Sequence, residues 1–129
     1  MHCVCRCAFF NLGIAESVYA EPINEVSIVQ LIADPERFDG QAVRMIAFLR
    51  LEFEGNTLYL HREDYEFSIS RNGIWIDLTD SQLRAWKKSS NGYVIAEGVF
   101  TAKRKGHFGM WQGSLEQVKR LDQWNVRRR

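Results

Sequence analysis

Beyond residue 7 the chain has no cysteine; all three thiols lie in CVCRC, from Cys3 to Cys7. No disulfide can staple the body of the protein, which fits a reducing compartment or a fold that needs no staple. The three alternating cysteines, even with His2 as a fourth ligand, suit a closed zinc site poorly, because pairs in such sites are usually spaced C-x₂₋₄-C. No metal site is expected there. No apolar run approaches the roughly 20 residues of a membrane-spanning helix, so no membrane partner is expected. There is no internal repeat, nucleophile elbow, phosphate-binding glycine loop or dinucleotide fingerprint. The richest titratable cluster is HREDYE, residues 61–66, with His107 a remote companion. It lacks the H-E-x-x-H metal spacing. Its Glu63, Asp64 and Glu66 read as the solvated start of a helix, where carboxylates favour the dipole. These absences lead to the expectation of a protein that is not an enzyme and takes no cofactor.

What is present is one domain's worth of apolar material: 129 residues, 46% hydrophobic and 26% charged, the balance of an ordinary globular chain. The net charge of +1 hides an asymmetry. Residues 1–80 carry 6 Arg against 13 Asp and Glu, and residues 81–129 carry 11 Lys and Arg against 3. Either the folded surface is dipolar with one basic region, or the two sets mix on folding. Residues 1–22 fall outside the regular pattern and read as an appendage bounded by Pro22. Val18-Tyr19-Ala20 resembles a cleavage site, but Asn11 and Glu16 interrupt the apolar stretch that a secretory signal needs. A cytoplasmic protein is therefore expected, with export as the alternative. The domain is placed at 23–124, followed by a basic tail at 125–129.

Ser27 and Gln30 make a capping box in an apolar stretch of Val26, Ile28, Val29, Leu31 and Ile32, which predicts a short helix ended by Asp34-Pro35. From Val43 to Phe53 every second residue is apolar, the pattern of a strand with one face in a core. The run is about twice the usual strand length of 5–6 residues, so the strand must curve or be shared between sheets. Gly55-Asn56 turns the chain into a second strand, 57–61. A third strand carries Ile74, Ile76 and Leu78. Thr79 or Asp80 then caps a helix with Leu83 and Trp86, ended by Asn91-Gly92. A fourth strand spans 93–102, where Gly98 signals a bulge or bend. A fifth spans 113–121, although its apolar spacing of three also fits a helix.

This order predicts a mainly β fold: a five-stranded OB-like barrel with two short helices, one before strand 1 and one between strands 3 and 4. The stretches LIADPERFDGQAVRMIAFL, LYLHREDYE, YVIAEGVF and GHFGMWQGSLEQVKRL resemble small uncharacterised bacterial proteins with an OB-like fold. Those proteins are distantly similar to anticodon-binding-type (tRNA-anti-like) OB domains. The resemblance covers about residues 26–122, and its most specific part is the glycine-rich stretch from Gly106 to Gly113. It implies a fold and a kinship with binding domains, and it carries no catalytic residues.

OB barrels bind ligands on the face of strands 2 and 3 and with the loops joining strands 1–2 and 4–5. Here the 4–5 loop is KRKGHFGMWQG. Lys103, Arg104 and Lys105 supply cations for phosphates; His107, Phe108 and Trp111 supply flat rings, with Tyr59, His61 and Trp75 on or beside strands 2 and 3. That is the composition that single-stranded nucleic acid requires. Packing competes with this reading, since Phe108, Met110 and Trp111 can also close the barrel end. The acidic 1–2 loop, with Glu52 and Glu54, would repel phosphates if it faced the same groove. The alternative is a protein-interaction module that docks a charged partner or self-associates.

Overall fold

The structure, a computed structural model, describes residues 22–126. The expectations for the cysteines, the cleavage pattern and the terminal arginines lie outside the described residues. A two-residue strand β1 (Asn24–Glu25) and helices α1 (Ile28–Ala33) and α2 (Pro35–Phe38) lead into the long strand β2 (Ala42–Arg50). Then come β3 (Thr57–Tyr59), α3 (Arg62–Glu66), a 3-10 turn (Ser70–Asn72), β4 (Gly73–Ile76), α4 (Asp80–Trp86), β5 (Gly92–Thr101) and β6 (Ser114–Gln123).

Five strands close into a barrel in the order β2-β3-β4-β6-β5 and back to β2. All neighbours are antiparallel except β4 and β6, which run parallel with Trp75 opposite Ser114. The long strand is shared, as its length requires. Along one edge β5 pairs with it from Ala42 to Leu49. On the other edge β1 takes its start and β3 its end. Its alternation sends Val43, Met45, Ala47 and Leu49 into the core, all buried, where they meet Leu58, Ile74, Ile76, Val94, Ala96, Phe100 and Leu115. The strand stops at Arg50, earlier than the sequence pattern suggests. Residues 52–55 form a turn, with the Gly55 amide donating to the Glu52 carbonyl at 3.0 Å. Phe53 is left 90% exposed, so its place in the alternation is accidental.

The expected helices are α1 and α4; α2 and α3 are extra short turns. Both expected helices begin with a reciprocal capping box, Ser27 with Gln30 and Thr79 with Gln82. These satisfy amides that the first helical turn leaves orphaned. On α1 the buried face is Ile28 and Leu31, while Val29 is 49% exposed. Asp64 on α3 is buried rather than solvated. Its carboxylate accepts from the His61 amide at 2.7 Å and from Asn72 Nδ2 at 2.9 Å, tying the helix start to the 3-10 turn.

The three-residue apolar spacing of the fifth strand has a local cause. Glu97 pairs with Arg120 and Val99 with Glu116, so Gln117–Lys119 bulge opposite Gly98. Gln117 has φ of 49°. The bulge resets the in-out phase, and Leu115, Val118 and Leu121 all reach the core. Gly98 is needed here because a Cβ would stand 2.7 Å from the Glu116 carbonyl oxygen.

Candidate functional site

The outer face of β2, β3 and β4 carries a second apolar cluster, separate from the core. Phe48, Tyr59 and Trp111 are buried there, with Tyr65, Trp75 and Tyr93 packed around them. Phe48 is fully buried although it points away from the barrel interior. Tyr93 meets it edge-on at 5.6 Å, and Arg62 lies 4.7 Å from its ring centroid. Trp111 closes the opposite side. Its ring is edge-on to Tyr59 at 6.0 Å and stacked on Trp75 at 6.3 Å. Burial holds the Tyr59 phenol above its ordinary range. This face of the barrel is therefore covered by the chain's own side chains.

The loop after β5 reaches this position by folding back on itself. The Trp111 amide donates to the Lys105 carbonyl at 2.9 Å, and the Gly109 amide to the Gly106 carbonyl at 3.1 Å. Gly106 has φ of +72°, and a Cβ there would meet Trp111 Nε1 at 2.5 Å and Trp75 Cε3 at 2.7 Å. Only glycine fits that place. Closure of the loop pushes Phe108 outward, 86% exposed with φ of 58°, a conformation uncommon for a bulky residue. His107 packs against Phe108, with ring centroids 4.0 Å apart, and its Nε2 stands 3.3 Å from Glu54 Oε1. The 1–2 and 4–5 loops thus touch, and the acidic loop does share this end of the barrel. Its second acid, Glu52, is engaged by Arg50 at 2.8 Å and by the Tyr65 hydroxyl at 3.1 Å.

Two grooves flank Lys105. The first, about 430 Å³, runs between the 3-10 turn and the loop, with Ser70, Arg71, Lys105, Phe108, Met110 and Gln112 among its walls. No carboxylate lines it. Among the described residues neither Arg71 nor Lys105 makes an ion pair. The second, about 270 Å³, lies on the outer surface of β4 and β6 beneath the base of the loop. Its floor is Trp75 from β4 and Asp77 just beyond it, beside Ser114 and Glu116 from β6; Arg104, Lys105 and Gly106 form its rim.

The nine residues singled out in the sequence thus do not stay together. Tyr59 and Trp111 are packing residues, buried against each other, and Trp75 is half-buried beneath Trp111. The reason is geometric, since the loop is long enough to lay its own tryptophan where a ligand ring would stack. His61 is exposed beside α3 and lines neither groove. Lys103 stands 3.9 Å from Asp39, and Arg104 stands 3.2 Å from Glu116. Lys105, His107 and Phe108 remain together at the surface. Arg71, Met110, Ser114 and Glu116 are additional groove residues. Arg71 lies in the 3-10 turn Ser70–Asn72, but nothing local in the sequence brings it to a loop more than thirty residues away. No group of three or more His, Cys, Asp and Glu is placed to hold a metal among the described residues, and no described helix is long and apolar enough to cross a membrane. No protein-family model, curated protein or solved structure matches the chain.

Proposed function

We propose that this domain is a non-catalytic module for single-stranded nucleic acid, bound in the groove between the Ser70–Asn72 turn and the loop after β5. The observation that carries this reading is the groove's makeup. It has two cations free of ion pairs among the described residues, no carboxylate, and an 86% exposed phenylalanine at its edge. Arg71 and Lys105 take phosphates, and Phe108 offers a face on which one base stacks. Cations along a backbone track with aromatic platforms are the recurrent means of holding single strands. The footprint is short, because the broad face of β2–β4 is filled by Phe48, Tyr59 and Trp111. The test is binding of a labelled twelve-nucleotide oligo-dT, its RNA counterpart and a duplex at low and moderate salt. The single strands should bind more tightly than the duplex, and more weakly as salt rises.

A second reading, a protein-docking surface, draws on Phe53 at 90% and Phe67 at 73% exposure. Aromatic side chains of this kind anchor interfaces. On that reading oligonucleotides would not bind, and alanine at Phe53 or Phe67 would abolish capture of the partner or self-association.

A further inference from the structure

Four side chains in the groove between the Ser70–Asn72 turn and the loop carry hydrogen-bond donors and have no protein acceptor among the described residues. They are the Ser70 hydroxyl, the Arg71 guanidinium, the Lys105 ammonium and the Gln112 amide. Arg71 and Lys105 are exposed, and Ser70 and Gln112 are half-buried, so all four are open to a ligand. Two full charges and two neutral donors thus surround about 430 Å³. That is more than one internal phosphodiester uses, since it presents a single charge on two free oxygens.

Carboxylates stand just outside this groove. Lys105 is also part of the second groove's rim, and Asp77 and Glu116 lie on that groove's floor. Phe108 leads to an acid as well, because His107 packs on it and stands 3.3 Å from Glu54 Oε1. A polyanion that runs on past Lys105 or past the Phe108–His107 pair therefore approaches acids that repel it. The broad face of β2–β4, where a barrel of this type holds a longer strand, is filled by Phe48, Tyr59 and Trp111. Attraction is confined to one place, which suits the end of a strand better than a stretch of its interior.

We infer that this groove seats the terminal phosphate of a single strand, a phosphomonoester at its 5′ or 3′ end, which deepens the single-strand reading and rests on it. A phosphomonoester carries a charge of about −1.5 to −2 near neutral pH and three strong acceptor oxygens. Arg71 and Lys105 balance that charge. The Ser70 hydroxyl and the Gln112 amide donate to the oxygens that the cations leave open. Phe108, at the groove's edge and 86% exposed, stacks on the base next to that phosphate. An internal phosphodiester also fits, but it leaves part of the positive charge unmatched and must send the backbone on towards the acids in both directions.

The experiment compares three twelve-nucleotide oligo-dT strands, each labelled at its centre, with a 5′-phosphate, a 3′-phosphate or neither, on the full chain at low salt. A strand phosphorylated at the preferred end should bind about fivefold tighter than the unmodified one, the upper end of what one exposed ion pair contributes. Lys105→Ala should bring that ratio close to one. Gln112→Ala and Ser70→Ala, which change no charge, should each reduce it. Lys119→Ala removes a cation that lines a separate groove beside Gly98, and should leave the ratio as in the parent. If one variant does not fold, the remaining variants and the parent comparison still decide. Equal affinity for the three strands in the parent chain, or an undiminished preference in the Lys105, Gln112 and Ser70 variants, overturns the terminal-phosphate site and leaves the single-strand reading standing. Failure to bind any of the strands overturns both.

Discussion

Trp111 lies over Trp75 with ring centroids 6.3 Å apart and ring planes 30° from parallel. The same indole is edge-on to Tyr59. This loop tryptophan is thus part of a buried cluster, only 5% exposed. Replacing a large buried aromatic with alanine removes transfer energy and leaves a cavity. Trp111→Ala should destabilise the fold by about 3–5 kcal/mol, measured by urea unfolding. A variant as stable as the parent would place the indole outside the packed cluster.

Gly106 tests the same arrangement from the backbone side. Its φ of +72° and its closeness to Trp111 and Trp75 leave no room for a methyl group. Gly106→Ala must therefore move the loop off the cluster, whereas Gly109→Ala meets no atom within 4 Å and bears only the cost of φ of +65°. The Gly106 variant should lose more stability than the Gly109 variant. Near-ultraviolet circular dichroism should report disturbed tryptophan packing in the former.

Across the barrel, Glu97 joins Arg120 at 3.0 Å and Arg44 at 2.8 Å. The Arg120 hydrogen bond, with Arg44 assisting, holds its carboxyl below the ordinary value of 4.5. A depressed carboxyl stabilises the fold above its unfolded pKa, and the effect is lost as pH falls through its folded pKa. The parent should exceed Glu97→Gln in stability by about 1 kcal/mol near pH 7, a modest figure because both arginines are partly exposed to solvent. The gap should close as pH drops below about 4.5. A gap that stays constant down to pH 2 would mean that the charge on Glu97 contributes nothing.

The barrel was legible because its information is local. Alternation at Val43, Met45, Ala47 and Leu49, the capping box at Ser27, the cap expected at Thr79 or Asp80, and Gly98 opposite the bulge each act over a few residues. The end of β2 was less so, since Leu51 still packs against the core beyond Arg50 whereas Phe53 continues the pattern by chance into a turn. The candidate site was legible only in part. The cations and rings of residues 103–111 stand out by composition, but which rings face outward depends on closure of the loop. That closure buries Trp111 and exposes Phe108, two residues of similar character three positions apart. Arg71, Ser114 and Glu116 reach the grooves only through long-range pairing, in particular the parallel register of β4 and β6, which no short window contains.

The most direct measurement is the salt dependence of oligo-dT binding for the parent and for the double variant Arg71→Ala, Lys105→Ala. Each neutralised phosphate of a single strand contributes about 0.7 to the slope of log K against log salt. Binding by the parent, with the double variant weaker and its slope flatter by about 1.4, is the predicted result. A parent chain that binds no oligo-dT even at low salt, or a double variant with the parent's affinity and slope, would contradict the account.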